Sequence, residues 1–452
     1  MKAFKAYDIR GIYNEDFNKD DVYKIGYFLP ELLQADNVLV GRDVRNSSEE
    51  VFEYLTRGII DSGANVYNIG ISTTPMVYYI TAKHKFSASV QITASHNPRE
   101  YNGMKISKFN ALPVGYDSGL KKLEEMIQTR EIVIASKKGK IIDYKVKAEY
   151  IEFLKTYVQD YSNLNIAIDC SNGMAGLLIK KVIGKSPFYL YDELDGTFPN
   201  HEPNPLIEEN VADLKNAVLE KKCDIGIIFD GDADRVMFVD EKGQFISPDL
   251  IIGLMGHYFL EKENLPDGSQ EVAVLEDIRT SKAVKEYIEN LGGKMHTWRV
   301  GRAYASPKLR EIKGIYGGEL AGHYYFRDFF YSDSGIMAAL IVLNILSRFK
   351  NEGKSMSELI GRIKKYESSG ELNFKIEQKS EAMEALKDYF VAEDEPMEIM
   401  DFDGYRLEFK DWWFNVRPSN TEPYLRILAE ANNKETLKEK VGDIKTIIKK
   451  FK

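Results

Sequence analysis

The sequence predicts an α/β protein of several units closed by a smaller α+β unit, and three observations carry that expectation. A chain of 452 residues exceeds what one hydrophobic core supports, so about three or four domains of ~100–150 residues are expected. Short apolar runs repeatedly end in a Gly- or Asp-bearing loop and pass into helical periodicity, which is how strand-then-helix units look. Beyond about residue 366 that rhythm gives way to closely spaced alternating strands.

Taken in order, the runs are residues 37–40 before GRDVRNSS, 88–92 before TASHNP, 165–168 before DCSNG, and 225–229 before DGDADR. A fifth, 272–275, leads into EDIRTSKAVKEYIENLGG, a helix closed by paired glycines. In the last unit 405–409 alternates polar and apolar, 412–416 is aromatic, and 424–429 is a third strand. The terminal helix carries Leu437, Val441, Ile444, Ile448 and Phe451 on one face. Composition shifts put domains at 1–150, 151–250, 251–365 and 366–452, each boundary good to about ten residues.

Composition narrows the function class. Hydrophobic residues at 44% and charged residues at 29% describe a chain folded nearly throughout. A formal net charge of -9 disfavours a nucleic-acid partner, which needs a basic surface; Lys449, Lys450 and Lys452 read as a solvated helix end. Cys170 and Cys223 sit in apolar runs and read as free thiols, which fits a reducing, cytoplasmic setting. The start MKAFKAYDIRG lacks an apolar signal core, and the longest apolar stretch, 336–346, is too short to span a bilayer, so no membrane partner is expected.

Four constellations carry chemistry. In Asp230-Gly-Asp232-Ala-Asp234-Arg235, three carboxylates at alternate positions stay ionised together only around a cation, so a hard divalent ion with oxygen ligands is expected. A helix-loop-helix calcium site fails because Arg235 stands where that loop needs Gly and the flanks read as strands. In Thr93-Ala-Ser95-His96-Asn97-Pro98, adjacent residues of an extended segment face opposite sides, which leaves His96 badly placed to activate Ser95. Ser95 is then either a turn residue or a carrier of phosphate.

In Gly317-Gly318-Glu319-Leu-Ala321-Gly322-His323, the glycines let the backbone turn tightly and present a carboxylate able to accept from two sugar hydroxyls. A Gly-rich turn with an incidental Glu and a packed His is the bland alternative. In Arg417-Pro-Ser419-Asn420-Thr421-Glu-Pro, two prolines stiffen a donor-rich loop suited to a phosphate, with Arg426 just beyond; a surface ion pair is equally compatible.

These loops, in this order, together with YDIRG at 7–11 and GRDVRNSS at 41–48, resemble the α-D-phosphohexomutases, specifically the phosphomannomutase/phosphoglucomutase group. The resemblance implies three related α/β domains and a C-terminal α+β domain around a central cleft. It implies Ser95 as the phosphoserine, Asp230, Asp232 and Asp234 with Ser95 as Mg2+ ligands, and Lys105 and Arg235 as catalytic residues in the same pocket. Substrate contacts fall by motif on Arg10, His96, Arg279, Gly301, Arg302, Glu319, Ala321, His323, Arg417, Ser419, Asn420, Thr421 and Arg426.

The implied reaction interconverts hexose 1- and 6-phosphates through a hexose 1,6-bisphosphate that also primes the enzyme, in a monomer or homodimer. Lys105 is the candidate general acid/base, on the expectation that surrounding cations lower its pKa. Two departures bear on selectivity. Ala321 stands where the sugar loop often has a hydroxyl, and Arg302 where some relatives have His. Phosphoglucosamine mutase is the nearest rival, with Asn420 and GTFPNHEPNP at 196–205 against it; an inactive phosphosugar-binding paralogue is the other.

Overall fold

Each of the apolar runs becomes a strand, and the loops that follow Ala88–Ile92 and Ile225–Phe229 meet each other. The protein is described from a computed structural model covering residues 1–261, 272–419 and 424–451. Its strands form four sheets, three of them layered with helices and the fourth antiparallel.

In the first sheet Asn37–Arg42, Asn65–Ile71, Ala88–Ile92 and Ile141–Asp143 run parallel, and Tyr101–Lys108 and Ile9–Ile12 close one edge antiparallel. All five residues of Ala88–Ile92 are buried, as a strand covered on both faces requires. In the second sheet Ile225–Phe229 is parallel to Ile166–Asp169 but antiparallel to Val236–Asp240, so residues 230–235 form the turn of a hairpin. The third sheet centres on Val272–Asp277 between Gly293–Trp298 and Tyr316–Gly318. Helix Lys282–Asn290 stops before Gly292, whose φ of 86° is the left-handed turn the paired glycines predicted.

One continuous apolar core joins helix Thr74–Lys83 of the first unit to the second and third sheets and to helix Gly335–Asn351. That helix contains the long apolar stretch and is buried over most of its length; among the described residues no helix is long and apolar enough to cross a membrane. Cys170 and Cys223 are buried free thiols.

The fourth unit has its own core. Leu407, Phe414, Val416, Leu425 and Ile427 pack under helices Lys379–Glu393 and Lys434–Ile448 and join none of the other clusters. It meets the third unit through polar contacts and one aromatic stack, Phe402 on Trp298 with ring centroids 5.3 Å apart. Arg406 donates to the carbonyls of Ile278 and Thr280 at 3.0 and 2.6 Å, and Ser281 donates to Glu430 at 2.7 Å.

Candidate active site

Ser95 sits where the chain leaves strand Ala88–Ile92, fully buried, with a left-handed backbone (φ 53°). Its hydroxyl donates to Asp230 Oδ2 at 2.7 Å, bridging the first and second units. The extended segment expected there is not what forms. The left-handed turn swings His96 Nδ1 to 3.4 Å from Ser95 Oγ, so the two side chains are neighbours rather than opposed. No triad results, because the hydroxyl is committed to Asp230 and no carboxylate orients His96 among the described residues. Burial, then Arg235, Arg10 and Lys105, holds the His96 ring well below its ordinary pKa, which keeps it neutral.

The hairpin turn carrying Asp230, Asp232 and Asp234 presses against this loop. A Cβ on Gly231 would lie 2.4 Å from Ser95 O, so only glycine permits the approach. The three aspartates are buried, and an oxygen from each lies within 4.8 Å of the others. Thr74 Oγ1 donates to Asp232, and the Lys105 ammonium donates to Asp232 Oδ2 at 2.7 Å and to Asp234. Oδ1 of Asp232 and Oδ1 of Asp234 have no hydrogen-bond partner although buried. Burial, reinforced by Asp232 and Asp234, drives the Asp230 carboxyl well above its usual pKa. Crowded oxygens, two of them orphaned, are the donor set of a hard divalent cation, so the residues fit such an ion.

Lys105 corrects one expectation. Burial pushes its pKa down, but Asp232 and Asp234 outweigh burial and raise it above its ordinary value. Its nearest partners are carboxylates, not the ring of cations from which a lowered pKa was expected. Arg235 is steered from the other side: its Nε donates to His323 Nε2 at 2.9 Å, while Asp333 Oδ2 lies 2.6 Å from His323 Nδ1. Since Arg can only donate, Nε2 is the acceptor and Nδ1 carries the proton.

The sugar-loop motif folds differently from its reading. Gly317 and Gly318 lie within strand Tyr316–Gly318, where added Cβ atoms would come 2.7 Å from Leu275 Cβ and from Ile252 Cγ1; the turn itself is made at Gly322, φ 83°. Glu319 is buried. Its carboxylate accepts from Gly301 N–H at 3.2 Å and from Tyr325 OH at 2.6 Å, and Ala321 stands half-buried in the turn beside it. Arg302 is tied down: it donates to Asp333, the partner of His323, at 3.0 Å and to Ala111 O at 2.8 Å, and lies 3.6 Å over the ring of Tyr78. It therefore ties the third unit to the first.

Carboxylates also hold the arginines of the fourth motif. Arg417 lies 3.6 Å from Asp403, which accepts from Val300 N–H at 2.9 Å. Glu371 joins Arg426 at 3.1 Å to Arg279 at 3.5 Å, and Arg279 is paired further with Asp277 at 2.8 Å. Ser419 N–H donates to Tyr424 O at 2.9 Å, whereas Asn420 and Thr421 lie outside the described residues. Arg10 pairs with Asp8 and donates to Asn97 at 2.9 Å beside the Ser95 loop.

Ser95, His96, Lys105, the three aspartates, Arg235 and His323 thus form one cluster, with Arg10 at its edge. Glu319 and Gly301 form a second; Arg279, Arg417 and Arg426 line the seam to the fourth unit, and Arg302 lies between the third unit and the first. Sequence reasoning missed Thr74, Asp333, Glu371 and Asp403, none of which stands in a motif with a chemical signature; each is found only by what it touches.

Comparison with known proteins covers the chain from end to end. Family models match it as phosphoglucomutase/phosphomannomutase alpha/beta/alpha domain I over residues 1–132, domain II over 148–243, domain III over 247–366, and the C-terminal domain over 371–446. A phosphomannomutase of Vibrio cholerae is 35% identical, the alignment covering 100% of this chain and 99% of the relative. One from Methanocaldococcus jannaschii is 34% identical over 100% and 98%. A phosphoglucomutase/phosphomannomutase family protein of Burkholderia thailandensis, solved by crystallography, superposes with a TM-score of 0.88 at 28% identity, over 99% and 97% of the two chains.

Proposed function

The chain belongs to the phosphoglucomutase/phosphomannomutase family and is a phosphohexose mutase, and from that premise we propose how and on what it acts. It moves a phosphoryl group between the 1- and 6-positions of mannose and/or glucose phosphates, with Ser95 as carrier and a hexose 1,6-bisphosphate between the two half-reactions. The observation that carries this reading is the 2.7 Å contact of the Ser95 hydroxyl with the first aspartate of a three-carboxylate loop. The names of its relatives support mannose.

In the first half-reaction a sugar hydroxyl attacks the phosphorus of phospho-Ser95. The new P–O bond forms as the bond to Ser95 Oγ breaks, and the proton lost by the sugar is matched by the one Oγ regains. The bisphosphate then turns round, and the reverse transfer leaves the other phosphate on Ser95. Little covalent chemistry is asked of the protein, so positioning and charge dominate.

Asp230, Asp232 and Asp234 would hold Mg2+, which when bound neutralises charge on the phosphoryl oxygens. Lys105, kept protonated by Asp232 and Asp234, is suited to stabilise that charge rather than to exchange a proton. His323 fixes Arg235 toward the same oxygens. Glu319 would hold the sugar, and Arg417, Ser419, Asn420, Thr421 and Arg426 the phosphate that stays. Free buried thiols support a cytoplasmic setting, in a monomer or homodimer.

The test is turnover of mannose 1-, glucose 1- and glucosamine 1-phosphate, each with Mg2+ and catalytic glucose 1,6-bisphosphate. Mannose or glucose phosphate should turn over, and Ser95→Ala should lower the rate by at least about 10⁴-fold, as removal of a reacting nucleophile does. Wild-type turnover by Ser95→Ala sinks the serine assignment. Preference for the glucosamine ester sinks the sugar assignment and leaves the serine standing.

A further inference from the structure

The loop that carries Ser95 is wrapped around one buried guanidinium. From Nη2, Arg45 donates to Ser95 O at 2.8 Å and Asn97 O at 2.6 Å; from Nη1 it donates to Pro98 O at 2.6 Å and Tyr101 O at 3.1 Å. Its Nε donates to Asp43 Oδ2 at 3.1 Å, so all five N–H groups of the fork are satisfied. Asp43 is itself pinned, accepting from Ser48 Oγ at 2.5 Å and from the Arg45 backbone N–H at 3.1 Å.

The second unit braces the same group. Phe198 presents its ring 5.0 Å from the guanidinium carbon, and Gly196 brings its turn so close that a Cβ there would lie 2.3 Å from Val44 O. Ser95 itself adopts a backbone conformation that L-residues avoid unless their surroundings impose it. What imposes it is a set of four carbonyls converging on one planar donor.

We infer that Arg45 is a positioning residue for phosphoryl transfer: its guanidinium is the mould that keeps the Ser95 loop in its left-handed turn, with Oγ directed at Asp230. This rests on the reading of Ser95 as phosphate carrier. A lysine has three donors from a single point and cannot reproduce a five-donor fork, so Arg45→Lys keeps the charge and loses the mould. The reacting oxygen should then wander from line while the substrate's distant phosphate and sugar contacts stay, an effect on kcat rather than KM.

The experiment compares wild type, Arg45→Lys, Arg45→Ala and Phe198→Leu, each with Mg2+ and glucose 1,6-bisphosphate. It reads phosphate on Ser95 by intact and fragment mass, kcat and KM in turnover, and the thermal transition. A misplacement near 1 Å predicts about a hundredfold loss of kcat in Arg45→Lys with KM within about threefold. Methylguanidinium should restore Arg45→Ala saturably, by about tenfold or more, because it refills the donor fork. Phe198→Leu should lose kcat by about threefold.

Arg45→Lys kinetics within twofold of wild type, or a folded Arg45→Ala that methylguanidinium does not help, overturn the inference. If both Arg45 variants lose their thermal transition, Phe198→Leu decides: a fall in kcat at constant KM supports it, and wild-type kinetics overturn it. Wild-type protein that takes no phosphate on Ser95 would refute the carrier assignment itself, a result distinct from a wild-type-like Arg45→Lys.

Discussion

The wall of the cleft built by the first two units and the wall built by the last two are held by different physics. Around Ser95 the polar groups are buried and tied within fractions of an ångström: Arg45 uses every donor, and Lys105 bridges two aspartates. Along the seam to the fourth unit the arginines are held instead by ion pairs: Glu371 reaches Arg426 at 3.1 Å and Arg279 at 3.5 Å, Asp277 reaches Arg279 at 2.8 Å, and Asp403 lies 3.6 Å from Arg417. A reaction that presents each end of a sugar bisphosphate in turn needs both kinds of wall. The transfer point must not move, and the grip on the other phosphate must let go and re-form. The fourth unit's separate core leaves its hold on the third unit to polar contacts and the Trp298–Phe402 stack, a joint suited to such regripping.

The comparison breaks first at the aspartates. Asp232→Asn removes a charge from the metal loop and one partner of Lys105. Several kcal/mol of transition-state stabilisation then predict a loss of about 10³-fold in kcat/KM, with weaker Mg2+ binding by calorimetry. A loss of only a few-fold would mean that the buried wall is no more exacting than the seam.

Arg417→Ala tests the seam directly. A charge-assisted bond to phosphate worth about 1.5–3 kcal/mol predicts a fall of about 10- to 150-fold in kcat/KM, expressed mainly in KM. Should the effect fall wholly on kcat, Arg417 belongs with the transfer point and the two walls are not distinct.

The smallest effect concerns pH. Burial, with Asp249 nearby, lifts the Glu430 carboxyl to about 7, while Ser281 and Trp413 donate to it. A carboxyl whose folded pKa is raised favours the protonated native state. Its contribution is fully present below about 4.5, the ordinary value, and is lost as pH rises through about 7. Glu430→Gln should therefore flatten the fall in Tm between about pH 5 and pH 8, by a few degrees at most. An unchanged slope would place the seam's pH response elsewhere.

Much of this was legible beforehand, and the reason is local. Strand-forming runs such as 225–229 carry their signal within five residues, and the DGDADR spacing announces a cluster of carboxylates that needs positive charge beside it. The helix end at Gly292 follows from the same short-range patterns. Where the reading failed, the cause was contact between distant segments. His96 was placed away from Ser95 because nothing in TASHNP reveals that Arg45, fifty residues earlier, imposes the left-handed turn. Lys105 was given cationic neighbours because sequence cannot say that its reach across the sheet ends on Asp232 and Asp234.

By itself, then, the sequence determined the kinds of element, the order of the chemical loops and the crowding of three carboxylates, all of which short spacing and charge dictate. Only the tertiary structure decided how Ser95 points, that Arg302 is pinned by Asp333 and the ring of Tyr78, and that carboxylates hold the arginines of the seam. Those outcomes depend on side chains that meet from segments tens to hundreds of residues apart, and a hydrogen bond is decided by tenths of an ångström that no linear pattern encodes.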